Sequence, residues 1–184
     1  EPLRLEGLFA EQRPCELEIG CGDGDFLLGY AQANPERNFI GVERLLGRIR
    51  KLDKRGRRDS LQNLRLLRIE ARYLIKYLFP EQQLEAMHVY FPDPWPKDKH
   101  ARHRLIDKEF PSHAARLLKP DGVIHLRTDD TSYFEQMQKT FIAHGRFEFE
   151  PTPPDLAARA TEFETEFNSQ GKPTNSVSWR LTGC

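Results

Sequence analysis

The 184-residue sequence predicts an α/β domain on a mostly parallel, doubly wound sheet. Two observations lead there: short apolar runs alternate with amphipathic stretches, and glycine- or proline-rich joints separate them. A third is the length, close to one domain's worth of chain at about 150 residues per domain. Strand-helix alternation with right-handed crossovers gives a parallel sheet.

The elements follow in order. A strand is expected near Glu16–Ile19, a helix from about Asp25, a strand near Asn38–Val42, a helix over Leu45–Arg57 and a strand near Leu64–Ile69. A short helix near Arg72–Leu78 precedes a strand at Ala86–Phe91 and a helix at Lys108–Leu118, which the run Lys119-Pro120-Asp121-Gly122 stops. A strand over Val123–Arg127, a helix over Ser132–Ala143 and a strand near Arg146–Phe149 complete the alternation. Residues 151–184 open on a proline-rich turn, continue through a helix near Glu162–Asn168 and end in a strand around Val177–Leu181. The whole of 1–184 reads as one domain, with 151–184 as its C-terminal segment.

Composition excludes several classes. No apolar run approaches the roughly 20 residues that span a bilayer, so a membrane protein is not expected. Glu1 to Glu6 carry no basic-then-apolar leader, and the chain opens on Glu rather than Met, as a trimmed chain would. Cys15, Cys21 and Cys184 are too few for a disulfide framework or a paired metal site; the first two read as buried thiols, the compartment as cytoplasm, and no metal is expected. Lysine plus arginine balance aspartate plus glutamate at 28 each, but unevenly. Eight basic residues crowd Arg44–Arg58 against Asp53 alone, whereas 148–166 holds six acids against Arg159. The molecule is therefore dipolar.

The first strand runs into Gly20-Cys21-Gly22-Asp23-Gly24 and then a helix, the place where open α/β sheets take nucleotide-like ligands. The spacing lacks the later glycine of a pyrophosphate-binding loop, which favours a ligand without phosphates. Glu43, at the end of the second strand, is placed to accept ribose hydroxyls, and Glu18 is expected to face the same crevice. S-adenosylmethionine, a cation, suits these carboxylates better than NAD. Glu70 ends the third strand near an adenine position, or else caps the helix that follows. Three alternate prolines in Phe91-Pro92-Asp93-Pro94-Trp95-Pro96-Lys97 stop the strand and stiffen a loop that presents Asp93; the competing reading is a rigid turn with Trp95 in the core. Lys97 to Arg104, and Arg48, Lys51, Arg55 and Arg58 at helical spacing, are two basic patches suited to phosphates. Asp129 ends the fifth strand. Ser132-x-x-Glu135 and Thr161-x-x-Glu164 fit capping boxes, although a free Glu164 carboxylate also suits the N1/N2 edge of a guanine.

Taken together, Glu18-Ile19-Gly20-Cys21-Gly22-Asp23-Gly24, Gly41-Val42-Glu43, the Pro92-Asp93-Pro94-Trp95 loop, Thr128-Asp129 and Thr161-Glu162-Phe163-Glu164 resemble the bacterial tRNA (guanine-N7)-methyltransferases over almost the whole chain. The resemblance implies a class I (Rossmann-like) methyltransferase fold, S-adenosyl-L-methionine as donor, tRNA as partner, and N7 of the guanine at position 46 in the variable loop as target. It implies cofactor roles for Glu18, Gly20, Gly22, Gly24, Glu43, Glu70 and Asp93, with Asp93 also catalytic, and substrate contacts for Lys97, Asp129, Thr161 and Glu164. Departures are Glu70 where Asp or Asn is common, Asp98 and His103 where basic residues are frequent, and a short segment before the first strand. The alternatives are a class I enzyme for another base or an exocyclic amine, a non-catalytic tRNA-binding module, and an NAD-dependent dehydrogenase. Monomer and homodimer are both compatible with the sequence.

Overall fold

In the computed structural model residues 3–183 are described, the side chains of Asp98 and Glu162 excepted; Glu1, Pro2 and Cys184 lie outside them. Seven strands form one sheet: β1 (Cys15–Ile19), β2 (Asn38–Glu43), β3 (Leu64–Arg68), β4 (Leu84–Tyr90), β5 (Leu118–Thr128), β6 (Phe147–Glu150) and β7 (Asn175–Leu181), in the order β3-β2-β1-β4-β5-β7-β6. The first five strands in that order pair in parallel. β7 inserts antiparallel between β5 and β6, so the sheet is mostly parallel as the alternation predicts.

The order reverses between β1 and β4, and such a switch point opens a crevice at the carboxyl ends of the strands. β1 is buried throughout, and its alternation sends its two kinds of residue to opposite faces. Leu17 and Ile19 join a core with Leu74, Ile75, Phe110, Ala114, Tyr133, Met137 and Phe141, residues of the segments after β3, β4 and β5. α1 (Asp25–Ala33) and α2 (Leu46–Arg58) cover the other face through Leu27, Leu28, Ala31 and Leu52 against Phe39 and Leu64. Glu16 and Glu18 fall on that second side and are buried.

The remaining elements follow their sequence cues, with local differences. The expected helix after β3 is a three-residue turn, α3 (Ala71–Tyr73), widened into a π-helical turn over Leu74–Leu78 that closes with Phe79 N–H donating to Leu74 O at 2.9 Å. α4 (Phe110–Leu117) opens with a proline at its start, where the missing N–H costs nothing. α5 (Thr131–His144) is capped by Asp130, not by Ser132 as expected: Asp130 Oδ1 accepts from Tyr133 N–H at 2.7 Å and from the Ser132 hydroxyl at 2.7 Å, so the helix starts earlier. α6 (Pro154–Ala157) and a 3₁₀ turn over Asp98–His103 lie in stretches read as loop. α7 spans Glu162–Ser169. Among the described residues no helix is long and apolar enough to cross a membrane, and no cluster of His, Cys, Asp and Glu fit for a metal is present.

Candidate active site

The glycine loop is stitched to the end of β2, since Gly20 and Cys21 N–H groups donate to Val42 O at 2.8 and 3.0 Å. Gly20 has φ +76° and nothing within 4 Å of where a Cβ would stand, so its backbone is open to a ligand. Gly24 is different. At φ +83° a Cβ there would fall 2.0 Å from Leu52 Cδ1, so this glycine serves the close packing of α1 on α2. α2 also grips the loop directly: Arg55 donates to Asp23 O at 2.9 Å and lies 3.4 Å from Asp25 Oδ1, while Lys51 pairs with Asp23 Oδ2 at 3.0 Å. These two members of the expected phosphate-binding face are thus engaged in holding the loop. Cys21 in this loop and Cys15 at the far end of β1 are both buried thiols, and burial pushes Cys15 up to about 12 and Cys21 higher still, which leaves both unreactive.

A cavity of about 640 Å³ opens over this edge of the sheet. Gly20, Glu43, Glu70 and Asp93 all line it, with Ile19, Ile69, Tyr90 and Phe91 as apolar wall. Glu43 is positioned by Leu45 N–H, which donates to its Oε1 at 2.7 Å. Glu70 does cap the turn after β3: its two carboxylate oxygens accept from Arg72 and Tyr73 N–H at 3.0 and 2.8 Å. It holds that cap while lining the cavity, so the capping reading holds and the residue also stands at the cavity wall. Gly22 and Gly24 stand outside the lining.

Glu18 lies below the cavity rather than on its wall. It is buried, and its Oε2 has no hydrogen-bond partner. Burial pushes its carboxyl up to about 8 against the pull of the Arg127 cation. A buried carboxylate oxygen without a partner two residues before the open Gly20 backbone, with Glu43, Glu70 and Asp93 lining the cavity, fits a cationic nucleoside such as S-adenosylmethionine. It is a poor host for a pyrophosphate.

The proline loop is strained where it turns. Phe91 (φ +50°) and Trp95 (φ +44°) both adopt left-handed backbone, a cost tolerated where surrounding structure enforces it. Phe91 N–H is tied to Arg127 O at 2.9 Å, and buried Arg104 donates to Pro94 O at 2.6 Å while stacking on Tyr133 at 4.9 Å. Arg104 is therefore a structural clamp of the loop, not a phosphate ligand as its place in a basic run suggested. Trp95 is 37 % exposed and packs on His103 at 5.1 Å between ring centres, so the core-tryptophan reading does not hold. The result is an exposed, rigidly presented Asp93 at the cavity wall.

The expected substrate contacts, Lys97, Asp129, Thr161 and Glu164, are not in the lining of this cavity. Lys97 is exposed at the start of the 3₁₀ turn, and Asp129 is half-buried just past the end of β5. Thr161 and Glu164 form the capping box of α7, with Glu164 N–H donating to Thr161 Oγ1 at 3.0 Å and Thr161 N–H to Glu164 Oε2 at 3.4 Å. Glu164 is also buried against Arg127, whose Nη1 donates to its Oε2 at 3.0 Å. In this conformation it is a tether rather than the free carboxylate the sequence allowed.

Arg127 is the residue that sequence reasoning passed over. Fully buried at the end of β5, it donates to Arg159 O at 2.9 Å, to Leu156 O and to Glu164, with its guanidinium 4.5 Å from the Tyr90 ring centre. It fastens the segment over 154–164 to the cavity floor. Beneath it, Tyr90 OH pairs with His88 Nδ1 at 2.8 Å, His88 Nε2 with Glu16 Oε2 at 2.7 Å, and Arg37 with Glu16 Oε1 at 2.6 Å. Burial opposes charge on Glu16, yet His88 and Arg37 hold its carboxyl below the ordinary range.

Comparison with known proteins places the chain in a family. A methyltransferase family model, Methyltransf_4, described as "Putative methyltransferase", matches residues 12–177. The tRNA (guanine-N(7)-)-methyltransferase of Halorhodospira halophila is 36% identical over 184 residues, covering 96% of this chain and 79% of that protein. The chain belongs to the tRNA (guanine-N(7)-)-methyltransferase family. The members from Nitrosococcus oceani (36% identity, 98% of this chain and 75% of that protein) and Enterococcus faecalis (36%, 94% and 83%) are similar to the same degree. Among solved structures, the 16S rRNA methyltransferase KamB superposes with a TM-score of 0.70 at 16% identity, covering 97% of this chain and 92% of its own. YcgJ from Bacillus subtilis gives 0.62 at 14%, covering 94% and 93%. These last two establish the fold: class I methyltransferase. Family membership makes the chain an enzyme that methylates tRNA guanine at N7, and S-adenosylmethionine is the donor that its cavity fits.

Proposed function

We propose that this chain methylates N7 of the guanine at position 46 in the tRNA variable loop, in the cytoplasm, with Asp93 as the catalytic residue. The observation that carries the reading is that the proline-braced Asp93 shares one cavity with Gly20, Glu43 and Glu70. S-adenosylmethionine supplies an electrophilic methyl on a cationic sulfur. Gly20 and the adjoining loop would give it a close backbone surface, Glu43 would take the ribose hydroxyls and Glu70 the adenine amine, and the buried Glu18 carboxylate behind the loop would attract its positive charge without lining the cavity.

Guanine N7 carries an in-plane lone pair, so no base is needed to deprotonate it. The protein's work is placement. Asp93 accepts hydrogen bonds from the N1/N2 edge of the base and, being anionic, balances the positive charge that the purine acquires as its N7–methyl bond forms. Lys97 and Asp129 flank the entry of the nucleotide, and the capped turn of Thr161 and Glu164, held down by Arg127, forms its C-terminal border. N7 lies on the major-groove edge and the base must leave the tRNA core, an unstacking cost of about a few kcal/mol met by phosphate contacts elsewhere on the protein. A tRNA transcript carrying 7-deazaguanine at position 46 should bind and accept no methyl. Full methylation of that transcript would contradict the assignment.

A further inference from the structure

We infer that the mouth of the cofactor cavity is a phosphate-binding gate, in which Arg44 and Arg48 on one lip and Arg102 and His103 on the other take the backbone of a bound RNA, so that the substrate roofs the cavity. This rests on the reading of tRNA as substrate and goes beyond it in naming where the polyanion lies and what its presence does to the cofactor.

All four residues line the one cavity, from two separate parts of the fold: the β2–α2 junction and the 3₁₀ turn behind the proline loop. All four are exposed. Arg48 is 54 % exposed and approaches Glu43 only to 3.9 Å. The neighbouring cations, by contrast, are engaged: Lys51 by Asp23, Arg57 by Asp53, Arg58 by Asp59, Arg72 by Asp107, and Arg104 by the loop carbonyl of Pro94. Arg44, Arg48, Arg102 and His103 are thus the exposed basic side chains of these two runs that line the cavity. Leu45 (47 % exposed) and Trp95 (37 % exposed) stand beside the arginines, giving each lip an apolar face on which a sugar or base can rest.

The order of charge gives the arrangement its consequence. Buried Glu43 lies inside and exposed Arg44, Arg48 and Arg102 stand at the mouth beside exposed Glu70 and Asp93, so a cationic ligand is attracted by the inner carboxylate and repelled by the arginines of the rim. A phosphate backbone laid across the rim removes that repulsion and closes the exit. Cofactor and tRNA therefore favour each other's binding, by the same factor in each direction.

The test uses the full chain loaded with labelled S-adenosylmethionine and measures its release with and without tRNA already methylated at N7, which binds without turnover. Bound tRNA should slow release by about tenfold. In the triple variant Arg44→Ala, Arg48→Ala, Arg102→Ala the two rates should converge, and the salt dependence of tRNA binding should lose about 0.7–0.9 in log–log slope for each phosphate contact removed. Lys139→Ala, 79 % exposed on α5, should keep the slowing. Release rates indifferent to tRNA in a chain that still binds and methylates it would overturn the gate alone. Slowing that survives in the triple variant would do the same. A chain that binds no tRNA would lose both the gate and the substrate reading beneath it.

Discussion

Replacing Arg127 by Met removes one guanidinium that holds three acceptors and an aromatic ring. The side chain is fully buried, and the substitution leaves Glu164 as a carboxylate without its cation, 8 % exposed, together with the carbonyls of Leu156 and Arg159 short of a donor. Breaking a buried pair from one side costs about 3–5 kcal/mol, a large share of a typical stability of about 5–15 kcal/mol. The chain has an escape, because the 154–169 segment can undock and solvate Glu164, and the loss then appears as local opening. Urea denaturation should therefore show either a midpoint lowered in proportion or a normal midpoint with rapid amide exchange confined to 154–169. The double variant Arg127→Met, Glu164→Gln should recover at least about 1 kcal/mol, since the two residues are directly coupled. Titration with S-adenosylhomocysteine should still show binding, because Gly20, Glu43 and Glu70 are held by other bonds. A midpoint within about 0.5 kcal/mol of wild type with 154–169 fully protected would refute the reasoning, as such small effects belong to surface changes.

Three further outcomes are expected. Asp93→Asn should lower kcat by about 10²-fold or more with cofactor Kd little changed, because the charge acts on the methylated base; equal losses in both would make Asp93 a cofactor ligand only. Glu18→Gln should abolish a pH dependence: in the wild type burial lifts the carboxyl to about 8, a cationic ligand favours its ionised form, and affinity therefore rises with pH through that region with a proton released on binding. The same shift makes the free protein lose stability as pH climbs from the unfolded carboxylate value towards about 8, since the folded state holds the proton longer; calorimetry in buffers of different ionisation enthalpy checks the first effect, and denaturation against pH the second. Gly24→Ala should cost about 2–5 kcal/mol, from left-handed backbone at φ +83° and the displacement of fully buried Leu52, and Leu52→Ala in the same chain should return part of it.

Much of the fold was legible because its determinants are local. The runs that became β1, β2 and β4 end at glycine, charge or proline, and the helix after the glycine loop begins at Asp25 as read. The insertion of β7 between β5 and β6 was not legible, since a seven-residue strand carries no mark of its partner. In the site, Glu43, Glu70 and Asp93 were found because acids at the carboxyl ends of parallel strands share one crevice. Arg127 was not, because an arginine closing a strand looks like surface until Leu156, Arg159 and Glu164 fold back over it. Arg55 and Arg104 illustrate the same limit. Both stand in basic runs that suggest phosphate, and both bind loop carbonyls instead. Spacing reveals which residues share a helical face, but not which of them meet an acceptor from elsewhere in the chain.

The most direct test of the central claim is transfer of labelled methyl from S-adenosylmethionine to unmodified tRNA, with the product mapped by strand cleavage selective for N7-methylguanine. A single cleavage site at position 46, absent with Asp93→Asn under the same conditions, is the expected result. Label incorporated at any other base or atom, or undiminished in the Asp93→Asn variant, would contradict the account.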